Sequence, residues 1–385
     1  MKTDNESGSH PPTSNAGQTS IDVVQSKSAA AAIPTRSSGG EHLVVLDGLR
    51  GIAALVIGAL HANQLLVSFD RYAHPYLAVD FFFCLSGFVI ALAYERRLQT
   101  GMSFGEFTGR RLLRLFPMIL LGSLLGGAVF FLGSLREGGS PIQAAIFTAT
   151  SLALLPGGFL SGKEAYPVNN PIWSLFFEVI ANLCYAALVP ITTRALILTL
   201  SISGAVLMYL SYHFGSIARL GFGSPMLFLG GFVRVAFPFI AGLIVYRFIG
   251  RFKWRFSPFI PIIGLLLLLA SPAPLTWWFD VVAVVVIIPL ILLTATRSSA
   301  GFLTTPLVIL GNISYPFYLI HQPILRVLKH ISPFNRLVAH HPVIAVLSAV
   351  ILIAIASYPI FIFYDQRLRK MFGKMFFPKS VPTVP

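Results

Sequence analysis

Two histidines and two carboxylates stand in or at the edge of long apolar runs of this sequence, where ionisable side chains are costly. They are His61, Asp80, Glu178 and His321. A histidine held by a carboxylate can take a proton from a hydroxyl group as a general base. In a membrane segment such groups usually face a cavity or one another, so they are candidates for a functional site. The alternative is that the histidines are neutral and bonded to a neighbouring helix, and that the carboxylates only hold helices together.

Arginines form a second group of candidates. Arg50 precedes His61 by eleven residues, and Arg111 and Arg114 lie near the start of the third apolar run. Several guanidinium groups in one place suit phosphates. At 1.5 Å per helical residue, Arg50 and His61 are about 16 Å apart along the axis, close to the reach of an extended pantetheine arm. A nucleotide-headed thioester could therefore anchor its phosphates at the arginines and present its acyl group to His61. The alternatives are that these arginines reach lipid head groups and that Arg50 pairs with Asp47.

The composition indicates a membrane protein. Of 385 residues, 55% are hydrophobic and 11% are charged, which is more apolar surface than one soluble core of this size buries. The net charge of +14 comes from short basic clusters between apolar runs, as in cytoplasmic loops, and not from one basic face for nucleic acid. Ten runs are long enough to be predicted as transmembrane helices, at residues 51–69, 76–94, 111–133, 171–190, 194–214, 226–249, 258–272, 276–295, 305–326 and 342–364.

The positive-inside rule orients these helices. Ten crossings place the basic clusters in the cytoplasm, whereas counting the weak segment 141–155 as an eleventh places several of them outside. We therefore predict an all-α, polytopic membrane bundle of about ten helices with both termini cytoplasmic. Residues 1–42 are predicted to be a disordered tail without a cleaved signal peptide, 43–366 the transmembrane domain, and 367–385 a short basic cytoplasmic tail.

The predicted topology also sets the depth of the ionisable residues. Each of the four, from four separate helices, is expected in the outer half of the bilayer, so the two histidines and two carboxylates converge on one level. The arginines are expected at the inner face. Cys84 and Cys184 lie inside apolar runs and suggest neither a disulfide framework nor a metal site.

Six short motifs occur in order along the chain, and together they resemble acyltransferase family 3 from about residue 43 to 365. The motifs are Asp47-Gly-Leu-Arg50-Gly, Asp80-Phe-Phe-Phe, Ser86-Gly-Phe, Arg111-Leu-Leu-Arg114, Asn170-Pro-Ile-Trp-Ser-Leu-Phe-Phe-Glu178 and Tyr318-Leu-Ile-His321. Members of this family are multi-span O-acyltransferases of surface polysaccharides and related acceptors. The resemblance implies that His61 is catalytic, that Arg50, Arg111 and Arg114 bind cytoplasmic acyl-CoA, and that Glu178 supports the active site.

The expected reaction is transfer of an acyl group, acetyl being the simplest, to a hydroxyl of a carbohydrate or glycolipid acceptor. Glu178 or Asp80 would orient the imidazole of His61, and His321, Ser86 and Trp173 would complete the substrate site. Acyl-CoA is the expected co-substrate, with no permanently bound cofactor and no metal. Direct transfer and a ping-pong route through an acylated His61 both fit the sequence.

The surroundings of the enzyme follow from the same resemblance. The chain is expected in a bacterial cytoplasmic membrane. No fused outer domain is expected, and a separate extracytoplasmic partner protein is a possible substitute for one. The loops 134–170, 215–225 and 328–341 are expected to shape acceptor choice. A proton-coupled transporter and a lipid-linked sugar flippase are the alternative functions, because transporters also carry intramembrane histidines and carboxylates. Against a transporter, the two halves of the chain lack matching broken helices.

Overall fold

In the computed structural model, the described residues, which are 40–67, 74–272, 274 and 276–377, fold into a bundle of α-helices, as predicted. The helices are α1 Gly40–Ala62, α2 Leu77–Gln99, α3 Phe104–Glu137, α4 Pro141–Leu152, α5 Ile172–Leu188, α6 Thr193–Phe214, α7 Pro225–Phe248, α8 Phe259–Leu269, α9 Trp277–Val282, α10 Ile288–Thr296, α11 Thr304–Leu328, α12 Ser332–His340, α13 Pro342–Pro359 and α14 Gln366–Phe376. One turn of π-helix each extends α1 (Asn63–Val67), joins α9 to α10 (Ala283–Ile287) and joins α13 to α14 (Ile360–Asp365).

Each of the ten predicted segments contains a helix in its described part. Within the described ranges, eight helical segments are long and apolar enough to cross a bilayer, and α5 and α8 are shorter apolar helices of 17 and 11 residues. The count of ten crossings and the cytoplasmic position of the termini remain predictions. The weak segment 141–155 forms α4, whose 12 residues span about 18 Å, too short for a bilayer crossing.

The ends of the chain are described only in part. Residues 1–39 and 378–385 lie outside the described residues, so the disorder predicted for the N-terminal tail remains a prediction. Much of the predicted C-terminal tail, 367–385, belongs to α14. The i,i+4 ion pair between Asp365 and Arg369 stabilises the first turn of this helix.

Local sequence signals set many helix ends. Ser103 accepts a hydrogen bond from the backbone N–H of Glu106 at the start of α3, and this Ser-x-x-Glu spacing is that of a capping box. Ser224 caps α7 in the same way, before a proline at the first helical position. Gly138 and Gly215 end α3 and α6 with φ angles of 71° and 79°, which glycine adopts without strain.

Glycines bring α1 and α11 into close contact. A Cβ at Gly48 would lie 2.3 Å from Leu307, and a Cβ at Gly58 would lie 2.4 Å from Phe317. Paired residue numbers rise together along the two helices, so α1 and α11 run parallel. Parallel helices need an odd number of membrane crossings between them, which agrees with the seven predicted there when α4 is not counted as a crossing. Close packing through small residues is usual between transmembrane helices.

A second close contact joins α2 to α7. A Cβ at Gly87 would lie 2.0 Å from the Phe239 carbonyl oxygen, and a Cβ at Gly242 would lie 2.0 Å from that of Cys84. The two backbones therefore touch without intervening side chains. Around these two contacts, α1, α2, α3, α5, α7 and α11 enclose the ionisable residues singled out in the sequence. Apolar side chains such as Leu267, 68% exposed, cover the outside, as a lipid-facing surface requires.

Candidate active site

His61 and His321 form a direct pair across the α1–α11 contact. His61 Nδ1 and His321 Nε2 lie 2.7 Å apart, and the two rings are parallel within 1°. The other ring nitrogen of His321, Nδ1, lies 3.2 Å from the Phe317 carbonyl oxygen. His321 is fully buried, whereas His61 keeps part of its surface exposed. The pair therefore combines an inner, enclosed imidazole with an outer one that is partly exposed.

The hydrogen bonds of the pair fix which nitrogen of His61 is basic. A carbonyl oxygen only accepts, so Nδ1 of His321 must donate to Phe317. In neutral His321 the other nitrogen, Nε2, is then an acceptor, and Nδ1 of His61 must donate to it. The lone pair of neutral His61 is thereby assigned to Nε2. That nitrogen has the electronic character of a general base.

The orienting partner of His61 is thus a histidine, whereas the sequence suggested Glu178 or Asp80. Within the described part of the chain, the recorded contacts of His61 do not include either carboxylate. His321 was predicted only as a substrate-site residue. His61 and His321 were both predicted near the outer ends of their helices, which is compatible with contact. The sequence could not show that α1 and α11 pack in parallel, and the pairing depends on that packing.

Asp80 forms a buried ion pair with Arg234 of α7. Arg234 donates from Nε and Nη2 to the two carboxylate oxygens of Asp80, at 3.0 and 2.8 Å. Its remaining N–H groups reach the carbonyl oxygens of Ile217, Leu220 and Tyr76. All five donors are used, and both side chains are at most 1% exposed. This geometry is that of a structural ion pair that fastens α2 to α7 and to the loop before it.

Trp173 packs on this ion pair. Its ring centroid lies 5.3 Å from the guanidinium carbon of Arg234, and the rings of Phe83 and Phe222 contact it from other sides. Trp173 is 6% exposed. Trp173 was predicted to contact substrate, but the structure buries it against the Asp80–Arg234 ion pair. Arg234 itself was not among the predicted residues, because a single arginine within an apolar run gives no indication of its partner.

Glu178 joins Ser86 and Arg111. One carboxylate oxygen, Oε1, accepts from Ser86 Oγ at 2.8 Å and from Arg111 Nη2 at 3.0 Å. The side chains of Arg111 and Glu178 are 7% and 20% exposed. Three predicted site residues from α2, α3 and α5 are thus in contact, although the sequence placed Arg111 at a different depth from Glu178.

Glu178 lies away from the level of the histidine pair, whereas the sequence predicted one shared level for them. The backbone N–H of Asn170, just before α5, donates to the side chain of Gln322, which follows His321. The start of α5 lies at the level of the histidine pair, and Glu178 follows eight residues later, about 12 Å along the helix. Asn169 and Asn170 are drawn into the protein interior, so α5 begins deeper than a helix that starts at the membrane surface.

Buried polar atoms without partners lie beside Glu178. In the described structure, Nε of Arg111 and both polar side-chain atoms of Asn182 lack a hydrogen bond. Asn182 follows Glu178 by one helical turn and is 1% exposed. An unsatisfied buried donor or acceptor costs about 1–3 kcal/mol, so these atoms are well suited to a polar ligand.

Arg50 lies between α1 and α11. Its Nε donates to Ser314 Oγ at 2.9 Å and its Nη2 to the Gly311 carbonyl at 3.0 Å. Nη2 also lies 3.0 Å from Asp47, so the local ion pair considered from the sequence does form. The Arg50 side chain remains 30% exposed, which leaves it accessible to a ligand.

Arg114 completes an arginine cluster, defined as Arg50, Arg111 and Arg114. It is exposed, and it interacts electrostatically with both other members. Among the described residues it has no hydrogen bond or ion pair. Arg50 and Arg111 each have a carboxylate partner, so the charge of Arg114 is the unbalanced charge of the cluster. Such a cluster can bind an anion, and phosphate suits the fork geometry of guanidinium groups.

No metal site is found within the described ranges, where no three His, Cys, Asp or Glu side chains are grouped so that they could hold an ion. The two cysteines, Cys84 and Cys184, are both free. The arrangement therefore offers a base and an anion site on this chain's own side chains.

Comparisons with known proteins agree with this arrangement. The acyltransferase 3 family, described as an acyltransferase domain, matches residues 43–362. Protein 2 in picA locus of Rhizobium radiobacter is 37% identical over 188 residues, covering 45% of this chain and 97% of that protein. Acyltransferase MdmB of Streptomyces mycarofaciens is 26% identical over 316 residues, covering 73% of this chain and 78% of that protein. No solved structure matches significantly. The family match includes every candidate site residue and ends before α14.

Proposed function

This chain belongs to the acyltransferase 3 family, and we propose that it transfers an acyl group from acyl-CoA to a hydroxyl of a carbohydrate or glycolipid acceptor. The family identifies a membrane acyltransferase, and the relative MdmB is named as an acyltransferase. An enzyme is therefore favoured over the transporter and flippase alternatives. We further propose that the acyl group is acetyl, that the acceptor is a carbohydrate or glycolipid, and that the enzyme lies in a bacterial cytoplasmic membrane.

The observation that carries the proposal is the chain of hydrogen bonds from Phe317 through His321 to His61. It orients His61 and leaves Nε2 as the basic atom. An oriented base is what an alcohol needs in order to attack a thioester. The same arrangement stabilises the charged imidazole after proton uptake, because His61 can keep donating from Nδ1 to His321.

The reaction then proceeds as acyl transfer. His61 Nε2 takes the proton of the acceptor hydroxyl as the oxygen attacks the thioester carbonyl carbon. The C–S bond breaks, and the leaving thiolate takes the proton back from the His61 imidazolium. An ester and a free CoA thiol result, and the histidine returns to its neutral form. Neither a metal nor an electron transfer is needed for this balance.

The donor would extend from the arginine cluster toward His61. The two sites are separated by about 16 Å along α1, as the spacing of Arg50 and His61 requires. Arg111 of the cluster and Asn182, one turn beyond Glu178, have unsatisfied buried atoms at the cluster end of this interval. The amide groups of a pantetheine arm are both donors and acceptors, so they could satisfy these atoms. This match supports a donor whose nucleotide is held by arginines and whose thioester lies near the histidines.

The acceptor is proposed to enter between two of the loops that the sequence assigned to acceptor choice. A cavity of about 420 Å³ is lined by Glu164 of the loop 134–170 and by Ser216, Arg219 and Phe222 of the loop 215–225. Charged and hydroxyl groups beside an aromatic ring suit a sugar, which has polar edges and an apolar face. Phe222 also contacts Trp173, so this cavity adjoins the aromatic side chain that packs on the Asp80–Arg234 ion pair.

Thioester turnover by the purified protein in nanodiscs tests the proposal. Acetyl-CoA or succinyl-CoA is supplied with crude glycan acceptors, and both thiol release and transfer of labelled acyl group are measured. His61→Ala should lower turnover by at least about 100-fold, and Arg114→Ala should raise the KM for the donor. His213→Ala, an exposed histidine on α6, is the matched control and should behave as wild type. Full turnover by the His61 variant, or no donor binding by wild type, would contradict the proposal.

A further inference from the structure

The C-terminal helix α14 lies beyond the family match, yet it packs against the end of the bundle that holds the arginine cluster. In the π-turn before α14, the Tyr364 hydroxyl donates to the Pro117 carbonyl of α3 at 3.0 Å. Just after α14, the Phe377 ring lies against Gly109 and 4.5 Å from the guanidinium carbon of Arg110. These contacts hold both ends of α14 to α3, the helix that carries Arg111 and Arg114.

Arg369 is a half-buried residue of α14 that faces the bundle. Asp365, which is fully buried, pairs with its Nε at 2.8 Å and its Nη2 at 2.5 Å. This hydrogen bond and charge contact hold the guanidinium group beside Asp365. The contact leaves Nη1 for another partner, and the Arg369 side chain is 28% exposed.

Tyr315 of α11 connects Arg369 to the cluster. The Arg369 guanidinium carbon lies 5.7 Å from the centre of the Tyr315 ring. The hydroxyl of the same tyrosine donates to the carbonyl of Leu115 at 2.7 Å, and Leu115 follows Arg114 in α3. One aromatic side chain therefore contacts the α14 guanidinium and the backbone next to Arg114.

Arg50 lies next to the same tyrosine. Its Nε bonds Ser314, the residue before Tyr315. Arg369 interacts electrostatically with both Arg50 and Arg114. Three guanidinium groups from α1, α3 and α14 thus surround one place on α11. Asp47 and Asp365 offset the charges of Arg50 and Arg369, so one net positive charge remains here to attract an anion.

We infer that Arg369 is an additional phosphate-binding residue of the donor site, held in place by Asp365 and Tyr315. This inference rests on the proposed function, in which the donor is acyl-CoA. Coenzyme A carries a diphosphate and a ribose phosphate. Because these groups are several separate anions, a binding site for coenzyme A can engage more guanidinium groups than the Arg111–Arg114 pair provides. In this chain, the helix after the acyltransferase domain supplies one of them and forms a wall of the site.

The same helix provides a matched control. Arg367 is exposed, two residues before Arg369, and its guanidinium lies 5.4 Å from the ring of Phe363. Removing either arginine lowers the charge of α14 by one, but only Arg369 contacts Tyr315. A difference between the two variants therefore reports position and not net charge.

The experiment measures coenzyme A affinity by titration calorimetry for the full chain in nanodiscs. Arg369→Ala should weaken binding by about tenfold, the usual value of one charge-assisted contact to phosphate. Arg369→Lys keeps the charge without the fork and should lie between this variant and wild type. Arg367→Ala should stay within about twofold of wild type. Thermal unfolding is recorded for each variant, and Arg369→Lys carries the test if Arg369→Ala does not fold.

Three results would overturn the inference, and they can be distinguished from one another. If wild type binds coenzyme A and Arg114→Ala weakens binding, but both Arg369 variants bind as wild type does, the α14 residue lies outside the site and the proposed function stands. Equal losses of coenzyme A affinity in Arg369→Ala and Arg367→Ala would show that net charge, and not the position of Arg369, causes the effect. If wild type itself shows no affinity for coenzyme A, the proposed donor fails and the inference fails with it.

Discussion

The Nδ1 atom of His61 and the Nε2 atom of His321 lie 2.7 Å apart across the parallel helices α1 and α11, and the Phe317 carbonyl bonds the far side of His321. A backbone oxygen cannot change its role, so the order of the two hydrogen bonds is set by the fold and not by a titratable group. The basic nitrogen of His61 is thereby directed away from α11. This arrangement differs from a histidine held by a carboxylate, and we propose that His321 positions His61.

Replacement of His321 by Ala should lower kcat while the KM for acyl-CoA changes little. His61 would remain but lose the partner that selects its tautomer, so we expect a fall of at least about tenfold in kcat and a smaller effect than that of His61→Ala. Initial rates over a range of acyl-CoA concentrations separate the two parameters. A variant with normal kcat would show that His321 does not position the base. His213→Ala is again the control.

Enlarging Gly58 should inactivate the enzyme through the α1–α11 contact. A Cβ at this position would lie 2.4 Å from the Phe317 ring, so Gly58→Val must push apart the helices that carry the two histidines. Turnover should be lost, and Phe317→Ala in the same chain should restore part of it. Gly105→Ala is the matched control, because a Cβ there has no neighbour within 4 Å. Unchanged turnover in Gly58→Val would mean that the helix contact does not control the site.

Asp80→Asn should act on stability. It leaves Arg234 buried without its counter-ion, which typically costs about 3–5 kcal/mol. Thermal unfolding in nanodiscs measures the effect. Asp47→Asn removes a carboxylate whose side chain is 49% exposed, so its effect on unfolding should stay below about 1 kcal/mol. An Asp80→Asn protein that unfolds as wild type does, but has no turnover, would instead place Asp80 in the chemistry.

Glu178→Gln should weaken donor binding more than it slows the acyl-transfer step. The substitution keeps the shape of the side chain but removes the charge that holds Arg111, so we expect a several-fold rise in the KM for acyl-CoA. Steady-state kinetics with acetyl-CoA provide the measurement. Glu106→Gln is a suitable comparison, because Glu106 pairs with Arg110 at a more exposed position on the same side of the bundle. A fall in kcat at constant KM would assign Glu178 to the chemistry.

Several parts of the fold were open to prediction because they depend on local properties. Apolar runs such as 76–94 and 226–249 predict helices, since backbone groups in lipid must be bonded within their own segment. The positive-inside rule excluded 141–155 as a crossing, and the short α4 and the parallel packing of α1 with α11 agree with that exclusion. The predicted segment 171–190 is three residues longer than α5, mainly because Val189, which precedes Pro190, is extended and ends the helix.

For the site, the sequence by itself determined which side chains are costly in a membrane and how far apart they lie along one helix. It identified His61, His321, Arg50 and the Arg111–Arg114 pair in this way. Only the tertiary structure decided which side chains meet, because spacing fixes the position along a helix axis and does not fix the neighbouring helix or the face presented to it. That is why His61 pairs with His321, why Asp80 belongs to Arg234, and why Arg369 joins the arginines from beyond the acyltransferase domain.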